Sequence, residues 1–323
     1  MSNLSRRLFL RALATVAVMP LLSKCSVIAE PLAIASHVWS GYELLFLAQR
    51  EGWLSEQSVT LIETLSATDS MQALISGKVQ GAALTLDEVL QVSAQGIPLT
   101  CVLVFDVSAG ADMVLAKTES NNLTELTGKR IGFEPSSLGA LMLYKLLQAA
   151  NVDKSAIIPV EVDYDQHIAA WNQGQIDIII TFEPVASQLL AQGAYKIFDS
   201  RKTPDTIFDV LAVKSDVLKS HASNIKHLIA AHFLARHYFY HNQQDSAYKM
   251  AMRMKLSPPD VLNSFRGLNL PNEQANQKYL TDQQSTLLMT ANTLSAVMIE
   301  NAMLTQPDNL QGLVTADFLP KSP

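Results

Sequence analysis

The sequence predicts an α/β protein of two lobes, each with a parallel-type sheet covered by helices on both faces. Short apolar runs alternate with helical patterns twice along the chain, first over residues 32–105 and again over 130–190. The strands are nearly uninterrupted apolar runs, such as Leu99-Thr100-Cys101-Val102-Leu103-Val104, as in strands buried on both faces. Roughly 295 residues remain once a leader is set aside, enough for two lobes rather than one.

The leader comprises residues 1–29. Ser5-Arg6-Arg7-Leu8-Phe9-Leu10-Arg11 is basic, Ala12 to Leu22 is apolar, and no acidic residue precedes Glu30, the three-part layout of an export signal. The paired arginines before Leu-Phe-Leu resemble a twin-arginine signal, which implies export of a folded protein to the periplasm. The apolar stretch is too short to span a bilayer comfortably, which argues against a membrane anchor. Leu22-Ser23-Lys24-Cys25 resembles the lipobox of a bacterial lipoprotein, with Cys25 as the lipidated residue. Lys24 departs from that pattern, which wants a small residue there, and simple cleavage after about Ala29 is the alternative. Cys101 then has no partner in the chain and reads as a buried, inert thiol. Loss of Arg6, Arg7, Arg11 and Lys24 takes the formal charge from −6 to −10. Such an acidic protein argues against nucleic acid or an anionic membrane surface as partner.

In the first lobe, Leu32-Ala33-Ile34-Ala35 opens a strand ending at His37-Val38-Trp39, and Tyr42 to Leu54 has a helical apolar pattern that Gly52 interrupts. Val59 to Ile62 is the second strand. Thr68-Asp69-Ser70 caps a helix from Met71 to Ile75, which Gly77 ends. Ala82-Ala83-Leu84, a helix from Asp87 to Gln95, and a strand from Leu99 to Phe105 complete the series. Ligands in such sheets sit outside the carboxyl ends of the strands. That rule selects Trp39, Ser40, Gly41 and Tyr42, then Thr68 to Ser70, then Thr85, then Asp106 and Ser108. Trp39 and Tyr42 fit equally as half-buried packing residues or as ligand contacts. Gly41 reads as the residue that permits a tight turn.

Met113 to Lys117 reads as the first crossing strand, entered through Gly110-Ala111-Asp112. Gly128 to Ala150 is then a strand, a tight turn and a helix in immediate succession. Pro135 stops the strand, and Ser136 or Ser137 caps a helix with Leu138, Leu141, Leu143, Leu146 and Leu147 at helical spacing. Unpaired amides and the positive dipole end make that N-terminus a ready oxyanion site, although an ordinary serine-capped turn has the same residues. Ile157 to Val162, Ile168 to Trp171, Ile176 to Thr181 and Glu183 to Leu190 continue the alternation, and Ile207 to Val213 is the return crossing. Helices follow over His221–Tyr240, Gln244–Met254, Pro258–Arg266 and Thr281–Glu300, packed on the first lobe or forming a separate domain. His237 and His241 share a helix face, but no acidic residue or third ligand stands at fitting spacing, so no metal site is expected.

An ordered series of short motifs carries a resemblance. Trp39-Ser40-Gly41-Tyr42-Glu43, Ala73-Leu74-Ile75-Ser76-Gly77-Lys78-Val79, Leu84-Thr85-Leu86-Asp87-Glu88, Ser108-Ala109-Gly110-Ala111-Asp112, Leu126-Thr127-Gly128-Lys129-Arg130-Ile131-Gly132 and Glu183-Pro184 run in order between Trp39 and Val213. Together they resemble the substrate-binding proteins of ABC importers of the nitrate/sulfonate/taurine (NitT/TauT, SsuA/THI5-like) family. The resemblance implies a two-lobed periplasmic-binding-protein fold of type II, with two crossover segments as hinge and a small ligand between the lobes. It also implies a monomer without cofactor that docks on an ABC permease in the inner membrane. Known binders of this kind take small sulfonates, taurine, nitrate or bicarbonate, or pyrimidine precursors of thiamine. The expected domains are residues 30–112 as the first part of lobe 1, 113–208 as lobe 2, and 209–323 as return crossing and helical part.

The expected ligand set is Trp39, Gly41, Tyr42, Ser70, Thr85, Ser108, Asp112, Glu134, Ser136, Ser137, Glu183 and Asp209. Helix N-termini at Ser70 and Ser136-Ser137 offer amides to an anion; Asp112, Asp209 and Glu183 offer carboxylates to a cation. If both sets face the cleft, the ligand is a zwitterion such as a small aminosulfonate, or an amine-bearing ring stacked on Trp39 or Tyr42. Alternatively the two aspartates brace the hinge and Glu183 caps its helix. Menaquinone-pathway and pyrimidine-forming enzymes have similar folds, but the sequence holds no Gly-x-Ser-x-Gly, His-Glu-x-x-His or phosphate loop, and export does not suit biosynthesis. A sensor that presents ligand to a membrane receptor would use the same site.

Overall fold

Two sheets organise the computed structural model, which describes residues 30–119, 123–281, 285–305 and 310–320. The expected export signal and Cys25 lie outside the described residues. The order is β1 (Leu32–Ser36), α1 (Glu43–Arg50), β2 (Val59–Glu63), α2 (Ala67–Ile75), β3 (Gly81–Thr85), α3 (Leu86–Ser93), β4 (Leu99–Ser108), β5 (Met113–Ala116), β6 (Arg130–Phe133) and α4 (Ser137–Ala150). Then come β7 (Ile158–Glu161), α5 (His167–Asn172), β8 (Ile178–Thr181), α6 (Val185–Ala191), β9 (Tyr195–Asp199), β10 (Phe208–Lys214), α7 (Ala222–His241), α8 (Gln243–Met254), α9 (Pro258–Ser264), β11 (Leu268–Asn269), α10 (Glu273–Leu280) and α11 (Thr286–Glu300). The first sheet has strand order β11-β4-β10-β3-β1-β2, and the second β7-β6-β8-β5-β9.

The expected crossing strands are members of the sheets. β5 lies antiparallel between β8 and β9, and β10 lies antiparallel between β3 and β4. There each strand pairs its backbone on both sides, which a free-standing crossing strand buried between the lobes could not do. The connections proper are residues 109–112 and 200–207. They are stitched together: Ser108 Oγ lies 2.7 Å from Ser200 Oγ, the Gly110 amide donates to Ser200 Oγ at 2.7 Å, and the Ser200 amide donates to Asp112 O at 3.0 Å.

Helix starts follow local chemistry. Ser66 is extended and its Oγ accepts from the Asp69 amide at 3.1 Å, so α2 begins at Ala67, before the predicted cap at Thr68 to Ser70. Ser70 sits inside the helix, its Oγ 2.7 Å from Thr64 Oγ1. Thr85 caps α3, and the Glu88 carboxylate reaches back to accept from the Thr85 amide at 2.9 Å. Ser136, not Ser137, caps α4, accepting from the Gly139 amide at 3.3 Å. A Cβ at Gly139 would stand 2.1 Å from Glu134 O, so the tight entry to α4 needs glycine.

The C-terminal helices pack on the first lobe. α7 and α8 pack against α1, where Arg253 pairs with buried Glu43 and stacks on Phe46 at 3.4 Å. Asn276 of α10 mimics a strand at the edge of β4, accepting from Val104 N at 2.7 Å and donating to Val104 O at 3.1 Å. Cys101 is buried in that same strand, and burial pushes its thiol up to about 12. Strands β3 and β4 and most of β10 are buried along their lengths, which fixes the strand ends rigidly. Each fully buried Leu, Ile or Val there contributes about 1.5–3 kcal/mol.

Candidate functional site

The central strands of the first sheet place three polar residues in a row. Asp209, at the start of β10, is registered against Thr85 at the end of β3 and against Asp106 near the end of β4. Tyr42 and Trp39, which follow β1 in the chain, reach that row. The Tyr42 hydroxyl donates to Asp209 Oδ1 at 2.5 Å, and Trp39 Nε1 donates to Asp106 Oδ2 at 3.1 Å. Asp106 and Asp209 are neighbours across the β4–β10 register, and Asp106 Oδ1 and Asp209 Oδ2 have no hydrogen-bond partner among the described residues. Burial pushes Asp106 up to about 8 and Asp209 well above the carboxylate range, with mutual repulsion adding to the latter.

Above this row is a small cavity of about 10 Å³, lined by His37, Trp39, Ala67, Thr85, Glu88, Asp112, Leu138, Phe182 and Asp209. Its walls come from both lobes. Trp39 and Phe182 meet edge to face at 5.5 Å across the cleft, His37 stands 5.8 Å from Phe182, and Tyr164 stacks on Phe182 at 4.2 Å. Glu134, which follows β6 of the second lobe, reaches the start of α2 in the first, accepting from Thr68 N and Thr68 Oγ1, each at 3.4 Å. α3 touches α4 beside it, so the lobes meet over the cavity. Asp112 closes the hinge side, where burial pushes its carboxyl up to about 7. Burial holds His37 neutral, down to about 3. A larger groove, about 620 Å³, lies between α4 and Asn301 and Met303; none of the carboxyls at the hinge lines it.

Of the expected ligand set, Trp39, Thr85, Asp112 and Asp209 line the cavity, while Tyr42 and Glu134 stand one layer behind. Gly41 is required for a different reason from the turn expected: a Cβ there would lie 1.8 Å from Asp106 Oδ2. Gly41→Ala is therefore expected to displace Asp106 and cost about 1–3 kcal/mol, read as a lower melting temperature. An unchanged melt would mean that the carboxyl swings aside freely. Ser70, Ser108 and Glu183 do not reach the cavity. Ser70 is held inside α2, Ser108 in the hinge, and Glu183 accepts from Ser187 N and Oγ, both at 3.0 Å, as the alternative of a helix cap foresaw. Ser136 caps α4, and Ser137 is its first residue. Sequence reasoning missed His37, Ala67, Glu88, Leu138 and Phe182 as cavity residues. His37 and Phe182 stand just past the ends of β1 and β8, where the strand-end rule would have found them.

His237 and His241 stack at 4.1 Å, with His241 Nδ1 2.8 Å from the His237 carbonyl. No group of three or more metal-ligating side chains occurs among the described residues.

Two α/β lobes, a doubly stitched hinge and a cavity walled from both sides define the type II periplasmic-binding-protein fold. The family model described as NMT1/THI5 like matches residues 40–246, and the chain belongs to that family. It is 23% identical over 242 residues to the taurine-binding periplasmic protein of Escherichia coli, covering 72% of each chain. Its fold is similar to that of the periplasmic aliphatic sulphonate binding protein SsuA of Escherichia coli, with TM-score 0.73, 17% identity and coverage of 90% of this chain and 98% of the other. The desulfurization enzyme DSZB is also similar in fold, with TM-score 0.63, 14% identity and coverage of 89% and 97%. Binders and an enzyme thus share this architecture, and function must be argued from the site.

Proposed function

We propose that the protein is an extracytoplasmic solute-binding component of an ABC importer, which captures a small amine-bearing solute between its lobes and presents it to an inner-membrane permease. The taurine- and sulphonate-binding relatives support the transport role. The observation that carries the reading is the cavity itself, whose lining comes from the first lobe at Trp39 and Thr85, the second at Leu138 and Phe182, and the hinge at Asp112 and Asp209. A solute held there contacts both lobes only when they are closed, so its binding favours the closed form by the difference in contacts. The closed form is what a permease can distinguish from the open one. The zwitterion or amine-bearing ring expected from the sequence is consistent with carboxyls at the hinge. Periplasmic export through residues 1–29, with or without a lipid at Cys25, belongs to the same reading, as does a monomeric state.

A catalytic alternative is favoured by one observation: Asp106 and Asp209 are adjacent buried carboxyls beside the cleft, both pushed up by burial, an arrangement suited to acid–base work. The readings separate on incubation with ligand. The protein from about residue 30 is expected to melt at rising temperature with ligand concentration, as linkage requires, and to return the ligand unchanged. Recovery of a chemically altered ligand would make it an enzyme.

A further inference from the structure

We propose that the cleft takes a small organic ammonium ion that bears no anionic group. This rests on the solute-binding reading and narrows it. Three carboxyls line the cavity from separate elements: Glu88 from α3, Asp112 from the first connection and Asp209 from the return. They are 1%, 2% and 3% exposed, and Glu88 Oε1, Asp112 Oδ2 and Asp209 Oδ2 each lack a hydrogen-bond donor among the described residues. Asp106 stands behind them with Oδ1 likewise unpartnered. Among the described residues no Lys or Arg lines the cavity, and the charges pressing on Glu88, Asp112 and Asp209 are other carboxyls.

Buried carboxyls without donors or countercharge are costly, and the cost is offset by bound protons or by a cation. An ammonium ion supplies both charge and N–H donors, whereas a quaternary nitrogen supplies only charge. The remaining walls suit it as well. Trp39 and Phe182 present aromatic surface, and a cation near such rings gains further attraction when desolvated.

The same site opposes an anionic group. The start of α2, which could have received an oxyanion, is occupied by the chain's own Glu134. Ser136 Oγ already engages the Gly139 amide at α4. An anion brought to the remaining amides of that helix would stand beside Glu134, which itself repels Glu88. The cavity of this closed form is about 10 Å³, about the room of one water, so a ligand enters with the lobes parted.

The test is titration calorimetry of the protein from about residue 30 with propylammonium, 1,4-diaminobutane and agmatine as cations, taurine as zwitterion and ethanesulfonate as anion. At least one cation is expected to bind tenfold or more tightly than taurine, and ethanesulfonate to give no binding heat. Asp112→Asn and Asp209→Asn are each expected to weaken that cation at least tenfold. Should Asp209→Asn fail to fold, Asp112→Asn decides, because Asp112 Oδ2 has no donor to lose. Taurine or ethanesulfonate binding more tightly than every cation, or no cation binding at all, overturns the ammonium proposal while leaving solute capture standing. Chemical conversion of a probe overturns the capture reading instead.

Discussion

Asp209→Ala is expected to lower the stability of the ligand-free protein by about 2–4 kcal/mol, and Asp209→Asn by less than about 1 kcal/mol. The difference lies in Tyr42. Its hydroxyl is fully buried and donates to Asp209 Oδ1 at 2.5 Å, while its ring is held between His37 at 5.4 Å and Phe105 at 5.2 Å. Alanine removes the acceptor of that hydroxyl and leaves a hole at the meeting of β3, β4 and β10. The ring cannot turn to find another partner. An unsatisfied buried hydroxyl costs about 1–3 kcal/mol, and the lost side-chain volume adds to that. Asparagine keeps the acceptor for Tyr42 and leaves one buried carboxyl, Asp106, where the native protein has two side by side. Urea unfolding at neutral pH measures both variants. Equal losses would show that the carboxylate itself, rather than its role as acceptor for Tyr42, holds the hinge end of the sheet.

That hinge end also marks how far the sequence could be read. The alternation of strand and helix was legible because parallel strands buried on both faces leave uninterrupted apolar runs, as at Leu99 to Val104. β9 was not, since Tyr195 and Lys196 are exposed and interrupt its apolar pattern. α10 was missed because it buries only Asn276 and Leu280 along its length. Insertion of β10 between β3 and β4 is long-range pairing that no local pattern encodes. At the site, Trp39, Thr85, Asp112 and Asp209 followed from strand ends and connections alone. Phe182 and Leu138 required knowing that the second lobe folds over the first. The displacement of Ser70 came from a cap placed four residues late: Ser66 followed by Asp69 was the better helix start, and its choice would have put Ala67 at the cavity. Glu183 had its partner four residues on, at Ser187, and had no need of a ligand.

Ligand-free protein is expected to melt higher at pH 6 than at pH 8, and the sign follows from the buried carboxyls. Burial pushes Asp106 up to about 8, Asp112, Glu134 and Glu43 to about 7, and Asp87 to about 6. In the unfolded chain such groups titrate near 4. Between these values the folded protein binds more protons than the unfolded one, so stability is present in full below the unfolded values and is lost as pH rises through 6 to 8. Each extra proton held by the folded form changes stability by about 1.4 kcal/mol per pH unit. Opposing groups act at the acid end of the same range. Burial depresses His37 and His232 to about 3 and His167 to about 4, so unfolding takes up protons there only as pH falls below the ordinary histidine value of about 6.5. Asp177, held at about 2 by Arg130, matters only at stronger acid. Differential scanning calorimetry at fixed ionic strength across pH 5.5 to 8.5 reads the slope. A melting temperature that is flat or rises toward pH 8 would mean that the cleft carboxyls are solvated and ionised in the ligand-free protein, as they would be if the lobes stood open.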